Sequence, residues 1–348
     1  MNRTAAKTVS LVVISVVFLT HGKVSFSQEV PAEKYDLSNW NITLPLDADG
    51  DEKVDSVSVK ELQEYSHPDF FYLDEDGDMV FTSPNKALTT ANSSNTRSEL
   101  RQMLRGTNTR IGTQDPRNNW SIAANPHSDK FGAVGGRMEA TLKVNHVAVR
   151  AGNPEKATAY SVVIGQIHAG TYDPPVEGFG WGNEPLKIYY KKWPDHETGS
   201  IFWTYEKNLP KDDPNRVDIA FPVWGNTWDN PEDPGSEGIA LGEEFSYTVN
   251  VYENILLLTF DVPGRAIVER TLDLSRGVDE HDHKWGYAGD WMYFKAGAYN
   301  QCSTSTVDGF WYAGCAGTGD WDTDKANGDY TSVSFSRLEL SEPIDPEL

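Results

Sequence analysis

Arg97, Glu99 and Arg101 stand two residues apart in the run 96–101. Side chains of an extended strand alternate faces, so these three charges share one side and Leu100 takes the other. Two guanidinium groups about one acid make a rigid bidentate clamp suited to carboxylates. At 162–168, Gln166 and His168 likewise share a face at the end of an otherwise apolar strand. At 293–301, Tyr293, Lys295, Tyr299 and Gln301 fall on one face with Gly297 among them. A glycine there leaves room for a ligand to lie across the strand. The run 186–192 adds Lys187, Tyr189 and Lys191 on one side. If these strands pave one sheet, they form a cationic, aromatic groove, which would select a linear polyanion. A sugar chain suits the aromatics.

These residue types fit a definite chemical problem. Cleaving a uronate polymer by β-elimination requires loss of the C5 proton, which is weakly acidic while the neighbouring carboxylate is ionised, and then expulsion of the 4-oxygen. Arg97 with Gln166 can bind that carboxylate and stabilise the enolate-like charge as it develops, electrostatic catalysis of the kind that often supplies the largest share of a rate enhancement. His168 or Tyr299 then takes the proton. A tyrosine, ordinarily a weak acid of pKa ~10, serves as base only where cations favour its phenolate, and Lys295 and Arg97 supply them. Tyr299 can also protonate the leaving oxygen. This chemistry needs no metal and no organic cofactor.

The rest of the chain sets the compartment and the class. Its 348 residues carry 52 acidic against 30 basic side chains, a net charge of −22, which excludes general nucleic-acid binding because phosphate contacts need a basic surface. Hydrophobic residues at 38% and aromatics at 11% supply a sizeable core. Residues 1–27 read as a secretory signal: Arg3 and Lys7 precede an apolar run at 8–20, and Ser25-Phe26-Ser27 gives a small-x-small cleavage pattern. That run is ~13 residues, short of the ~20 a membrane span needs, and no other stretch could cross a membrane. The mature protein, 28–348, is therefore expected as one domain outside the cytoplasm, extracellular or periplasmic, free of the membrane and monomeric. In an exported protein Cys302 and Cys315 read as a disulfide pinning one loop. Two cysteines cannot build a zinc site alone, and His281 and His283 lie in a charged turn. The acidic run 47–55 fails the calcium-loop count, with Glu52 where glycine is needed and Ser58 where glutamate is needed. No metal site is expected.

Short alternating strands separated by turn residues recur from residue 35 onward. The patterning predicts strands at 78–82, 96–104, 136–144, 160–168, 186–192, 245–251, 255–262, 291–301 and 331–340, with one short helix at 58–63. Such a succession is the signature of an all-β, antiparallel sandwich. Two stretches dense in Pro, Gly, Asp and Trp, 170–184 and 224–242, read as long loops, where binding commonly sits.

Arg97-Ser98-Glu99-Leu100-Arg101, Gln166-Ile167-His168 and Tyr293-Phe294-Lys295-Ala296-Gly297-Ala298-Tyr299-Asn300-Gln301 resemble, in order, the three signature blocks of alginate lyases of polysaccharide lyase family 7. Residues 35–45 and 330–340 resemble the family's opening and closing segments. The resemblance implies a β-jelly roll with an open concave groove, and endolytic β-elimination of the 1,4-linked mannuronate and guluronate chain to unsaturated oligouronates. It implies that Arg97, Gln166, His168 and Tyr299 carry catalysis. Glu99, Arg101, Lys295, Asn300 and Gln301 are then expected to bind or orient the substrate, with Lys187 and Tyr189 beside them. An Ile in the central block is associated in the family with guluronate-containing stretches, so Ile167 points that way. Two other readings use the same sandwich. A carbohydrate-binding, lectin-like module would use the groove without chemistry. A jelly-roll glycoside hydrolase needs two carboxylic acids across the scissile bond, and the candidate groove segments supply Glu99 alone.

Overall fold

The computed structural model describes residues 29–171, 176–305 and 311–346. The expected leader at 1–27 lies outside the described residues, as do 172–175 of the first long loop. Two sheets pack face to face. The larger runs Asp218–Trp224, Ser200–Glu206, Leu186–Lys191, Ser161–Thr171, Asp290–Asn300, Arg97–Gln102, Trp40–Thr43 and Ser56–Val57. The smaller runs Val268–Asp273, Ile255–Asp261, Glu244–Tyr252, Gly136–His146, Tyr330–Ser341, Met79–Pro84 and Phe71–Leu73. Neighbours along both paths pair antiparallel, giving the expected sandwich of jelly-roll type. Among the described residues no helix is long and apolar enough to cross a membrane.

The smaller sheet shows why alternation was legible. Met138, Ala140, Leu142 and Val144 of Gly136–His146 point into the core while the residues between them are partly exposed. They meet Ile42, Leu100, Ile164, Ile188, Phe294 and Ala296 of the larger sheet in one continuous core. Several strands lie outside the predicted set, Val268–Asp273 and Phe71–Leu73 among them, and two others show why. Ser200–Glu206 is buried at every position, so nothing alternates, and Asp218–Trp224 carries Pro222, tolerable because the strand is at the sheet's edge. The expected helix forms at Val59–Leu62 with Ser58 and Glu61 in a capping box. A second, Trp321–Asn327, was not anticipated, although Asp320 caps its start and Gly328 ends it in the left-handed conformation.

Two local devices set the site's geometry. Against Leu186–Lys191 the register slips so that Ile188 faces Gly165 and Tyr189 faces Val163. This bulge lets Val163 and Gln166, three residues apart, both lie on the outer face. Gly165 is required there, since a β-carbon would sit 2.4 Å from the Tyr247 hydroxyl. Gly297, read from the sequence as space for a ligand, has a different role. Its φ is +142°, and a β-carbon would strike Ser98 O at 2.5 Å and Glu99 Cα at 2.9 Å on the next strand. The glycine thus allows close strand packing beneath the site.

The expected disulfide joins Cys302 to Cys315, beside a short parallel pairing of Cys302–Ser303 with Ala313–Gly314. The histidine turn holds an unanticipated anchor: Asp282 between the two histidines is buried and accepts from Tyr205 Oη at 2.8 Å and Asn208 N at 3.0 Å.

Candidate active site

Three adjacent strands of the larger sheet carry the central cluster. The register sets Arg101 opposite Lys295, Lys295 opposite Gln166, and Arg97 opposite Tyr299. Glu99 is the hub. It is buried, and it accepts from Arg97 Nη1 at 3.2 Å, from Gln166 Nε2 and from Lys295 Nζ. The Arg97 guanidinium lies 4.0 Å over the Tyr299 ring, and Lys295 Nζ is 5.7 Å from that ring's centre. Tyr299 Oη is 3.1 Å from Ser93 Oγ. Burial presses the Lys295 ammonium down to about 8, with Glu99 acting in the opposite direction. Two cations, one of them easily deprotonated, therefore converge on one tyrosine.

His168 closes the other side. Its Nδ1 is 2.7 Å from Ala169 O, and a carbonyl oxygen can only accept, so in the neutral ring Nδ1 carries the hydrogen and Nε2 is free to take a proton. The imidazole stacks on Tyr293, centroids 5.2 Å apart. Burial lowers its proton affinity; Glu184 raises it, and Lys295 and Arg97 lower it further. The neutral ring is the form a general base needs.

The two-arginine clamp does not form as the spacing suggested. Arg101 lies 3.8 Å over the Tyr293 ring and donates to Gln102 O at 2.7 Å and Asn119 Oδ1 at 2.8 Å, so it braces the site from the side. Lys187 and Tyr189, expected to bind substrate, are under cover. Lys187 is 3% exposed and paired with Glu184 at 3.4 Å and Asp218 at 3.3 Å. Tyr189 stacks on Phe202 at 5.0 Å and meets the edge of Trp228 at 5.3 Å. Lys191 donates to Ala157 O at 2.8 Å and to Ala159 O at 2.6 Å. Asn300 is not on the groove face: it is buried with its amide on Asn85 Oδ1 at 2.8 Å. Gln301 is also buried and donates to Tyr299 O at 3.2 Å. Asn300 is buried because it alternates with Tyr299 inside the strand, and Gln301 because the strand ends before it.

Sequence reasoning missed two contributors. Glu184, at the end of the first long loop, places Oε1 3.5 Å from His168 Nε2. Trp228, in the second, packs on Tyr189, Phe202 and Trp311 and belongs to the apolar cluster that includes Tyr299. No spacing signal could find either, because each meets its partners only through the fold. Glu99 is accordingly not the only acid near the groove: Glu184, Glu206 and Asp218 flank it.

A cationic cluster with tyrosine and histidine, on the outer face of a jelly roll, fits a polysaccharide lyase. The chain belongs to the alginate lyases of polysaccharide lyase family 7, whose alginate lyase family model matches residues 35–342. An alginate lyase from Klebsiella pneumoniae is 39% identical over 289 residues, spanning 80% of this chain and 87% of that protein. The crystal structure of the alginate lyase from Klebsiella pneumoniae matches with a TM-score of 0.72 at 34% identity, covering 92% of this chain and 100% of that one. An exolytic family 7 alginate lyase from Zobellia galactanivorans matches with a TM-score of 0.73 at 33% identity, covering 91% and 99%. These likenesses favour neither the lectin nor the hydrolase reading.

Proposed function

We propose that this alginate lyase is secreted, prefers guluronate-containing stretches and works through Arg97, Gln166, His168 and Tyr299. The observation that carries the site is the convergence of Arg97, Lys295 and Gln166 on Glu99 beside Tyr299. Arg97 Nη1 is held by Glu99, while Nη2 makes no hydrogen bond among the described residues and is left for the substrate carboxylate. Gln166 has its amide nitrogen on Glu99 and its oxygen without a partner among the described residues, which suits a sugar hydroxyl. His168 Nε2 and Tyr299 Oη then stand as base and acid. Guluronate and mannuronate are C5 epimers, so their C5 hydrogens leave from opposite ring faces and one fixed base cannot serve both equally. The guluronate preference rests on the family association of Ile167, which is buried in the core and acts only through packing.

The test is ultraviolet absorbance with polyguluronate, polymannuronate and mixed alginate in parallel. Elimination creates a C4–C5 double bond, so absorbance rises, fastest on polyguluronate. His168→Asn should lose at least about a hundredfold in kcat on the block where histidine is the base and far less on the other. Equal losses on both blocks would oppose a division of labour.

The mode of attack has a second reading with its own support. Endolytic action, implied by the resemblance, needs a groove open at both ends. Leu186–Lys191 and Ser200–Glu206 are buried at every position, so the outer face is covered there, with Trp228 set edge-on against Phe202 and Trp311 edge-on against Trp228. That cover favours attack near a chain end, the mode named for the Zobellia relative. Viscosity decides: terminal attack should raise absorbance well before viscosity falls, whereas early collapse of viscosity would return the endolytic reading.

A further inference from the structure

We propose that Glu184 is a positioning residue for His168: held by Lys187 and by Glu206, which Arg216 braces in turn, it steadies the imidazolium that forms when His168 takes the C5 proton. The inference deepens the lyase reading above and rests on it. Its basis is an arrangement in which each oxygen of Glu184 has its own partner. Oε1 faces His168 Nε2 at 3.5 Å and Oε2 faces Lys187 Nζ at 3.4 Å. The backbone is fixed as well. Glu184 N donates to Glu206 Oε2 at 2.9 Å, Glu206 N donates to Glu184 O at 3.2 Å, and Ala169 N donates to Asn183 O at 3.0 Å, tying the residue before Glu184 to the residue after His168.

The surrounding charges keep Glu184 ionised. Burial alone would raise its proton affinity, but Lys187 holds it well below the usual carboxylate range. Glu206 takes the opposite direction, pushed well up by its own burial and by Glu184. The two neighbouring carboxyls are thus driven apart in proton affinity, and Arg216 Nη2 braces Glu206 at 2.6 Å from Oε1. A fixed carboxylate at the proton-accepting nitrogen favours the charged product of proton transfer more than the neutral reactant.

The step balances. The C5–H bond breaks, its proton goes to His168 Nε2, and its electron pair moves into the enolate-like carboxylate and then into the C4–C5 double bond. The C4–O bond breaks, and Tyr299 gives its proton to the departing oxygen. Loss of a proton from the imidazolium and return of one to the phenolate restore the enzyme.

The groups facing His168 are Glu184, Lys295 and Arg97, with Tyr293 stacked on its ring. Glu184 alone among them raises its proton affinity. Glu184→Gln should therefore lower kcat about tenfold with KM within about twofold, while the acidic limb of the pH–rate profile moves to lower pH by about one unit. The His168 ring signal in an NMR titration of the free protein should move down with it. Glu184→Asp, which keeps the charge, should restore most of that midpoint. Should the glutamine variant fail to fold, the aspartate variant, with its carboxylate drawn back, must still lower the midpoint in part. Glu206→Gln should leave it in place. A glutamine variant that loses kcat with the limb and the titration unmoved overturns the proposal, as does an equal shift in Glu206→Gln. The titration needs no substrate, so absence of turnover on every alginate would sink the lyase reading and leave this test standing.

Discussion

Tyr299→Phe should abolish turnover, with kcat falling about 10²–10⁴-fold on every alginate block while the protein stays folded. The hydroxyl is the only group removed. Its one hydrogen-bond partner among the described residues is Ser93 Oγ, 3.1 Å away. The ring beneath Arg97, and its contacts with Val163, Tyr189 and Trp228, remain. The melting temperature should accordingly move by no more than about 2 °C, since the loss is that of a single, partly buried hydrogen bond. On a block where His168 is the base, tyrosine is still needed to protonate the 4-oxygen, so the loss should appear on polyguluronate and polymannuronate alike. A phenylalanine variant keeping more than a tenth of wild-type turnover on either block would show that another group protonates the leaving oxygen there.

The second large effect is on stability. Glu99 is the shared counter-ion of Arg97 and Lys295, and it is 2% exposed. Glu99→Gln keeps the shape and removes the charge, leaving two buried cations facing each other. Breaking a buried ion pair from one side costs roughly 3–5 kcal/mol, which lowers the melting temperature by on the order of 5–10 °C. The loss should depend on pH in a definite direction. Burial already presses Lys295 down to about 8, and Glu99 is what opposes that. Without Glu99 the folded-state value drops further below that of the unfolded chain, where the lysine is unperturbed. The folded variant then binds fewer protons than the unfolded one over that window, and its stability rises with pH toward the unfolded value. The variant should be most damaged near pH 6 and recover by pH 9. Calorimetry at both values checks this, and Lys295→Met in the same background should recover part of the loss at pH 6. Equal destabilisation at both pH values would mean that the cost is lost hydrogen bonding rather than unbalanced charge.

Much of this was legible in the chain. Gly136–His146 alternates apolar and polar positions because one face meets the core and the other meets water, and such a strand announces itself. Arg97 and Glu99, Gln166 and His168, and Tyr293, Lys295 and Tyr299 were assigned common faces from spacing alone. Arg97 meets Glu99 and Lys295 lies near Tyr299 as that spacing predicts, while His168 stacks on Tyr293 across the strand pair, a contact spacing along one strand does not reach. Where both faces of a strand are covered, as in Ser200–Glu206, alternation vanishes and the strand is silent. Gln301 lies just past the end of Asp290–Asn300, and alternation says nothing about where a strand stops, whereas Asn300, expected to bind from the resemblance, is on the inward face that alternation gives it.

By itself, then, the sequence determined the sandwich and the strand faces, because both depend on spacing along one extended chain, and its three blocks carried the likeness to the family. Only the tertiary structure decided how charge is shared among them. Glu99 takes up Arg97 and Lys295, Arg101 turns aside to Tyr293 and Asn119, Lys187 is spent on Glu184 and Asp218, and Trp228 of the second long loop covers Tyr189 and Phe202. The physical reason is range. Strand periodicity is a property of neighbours two residues apart, whereas an ion pair is settled by whichever opposite charge the fold brings within about 4 Å, however far along the chain it lies.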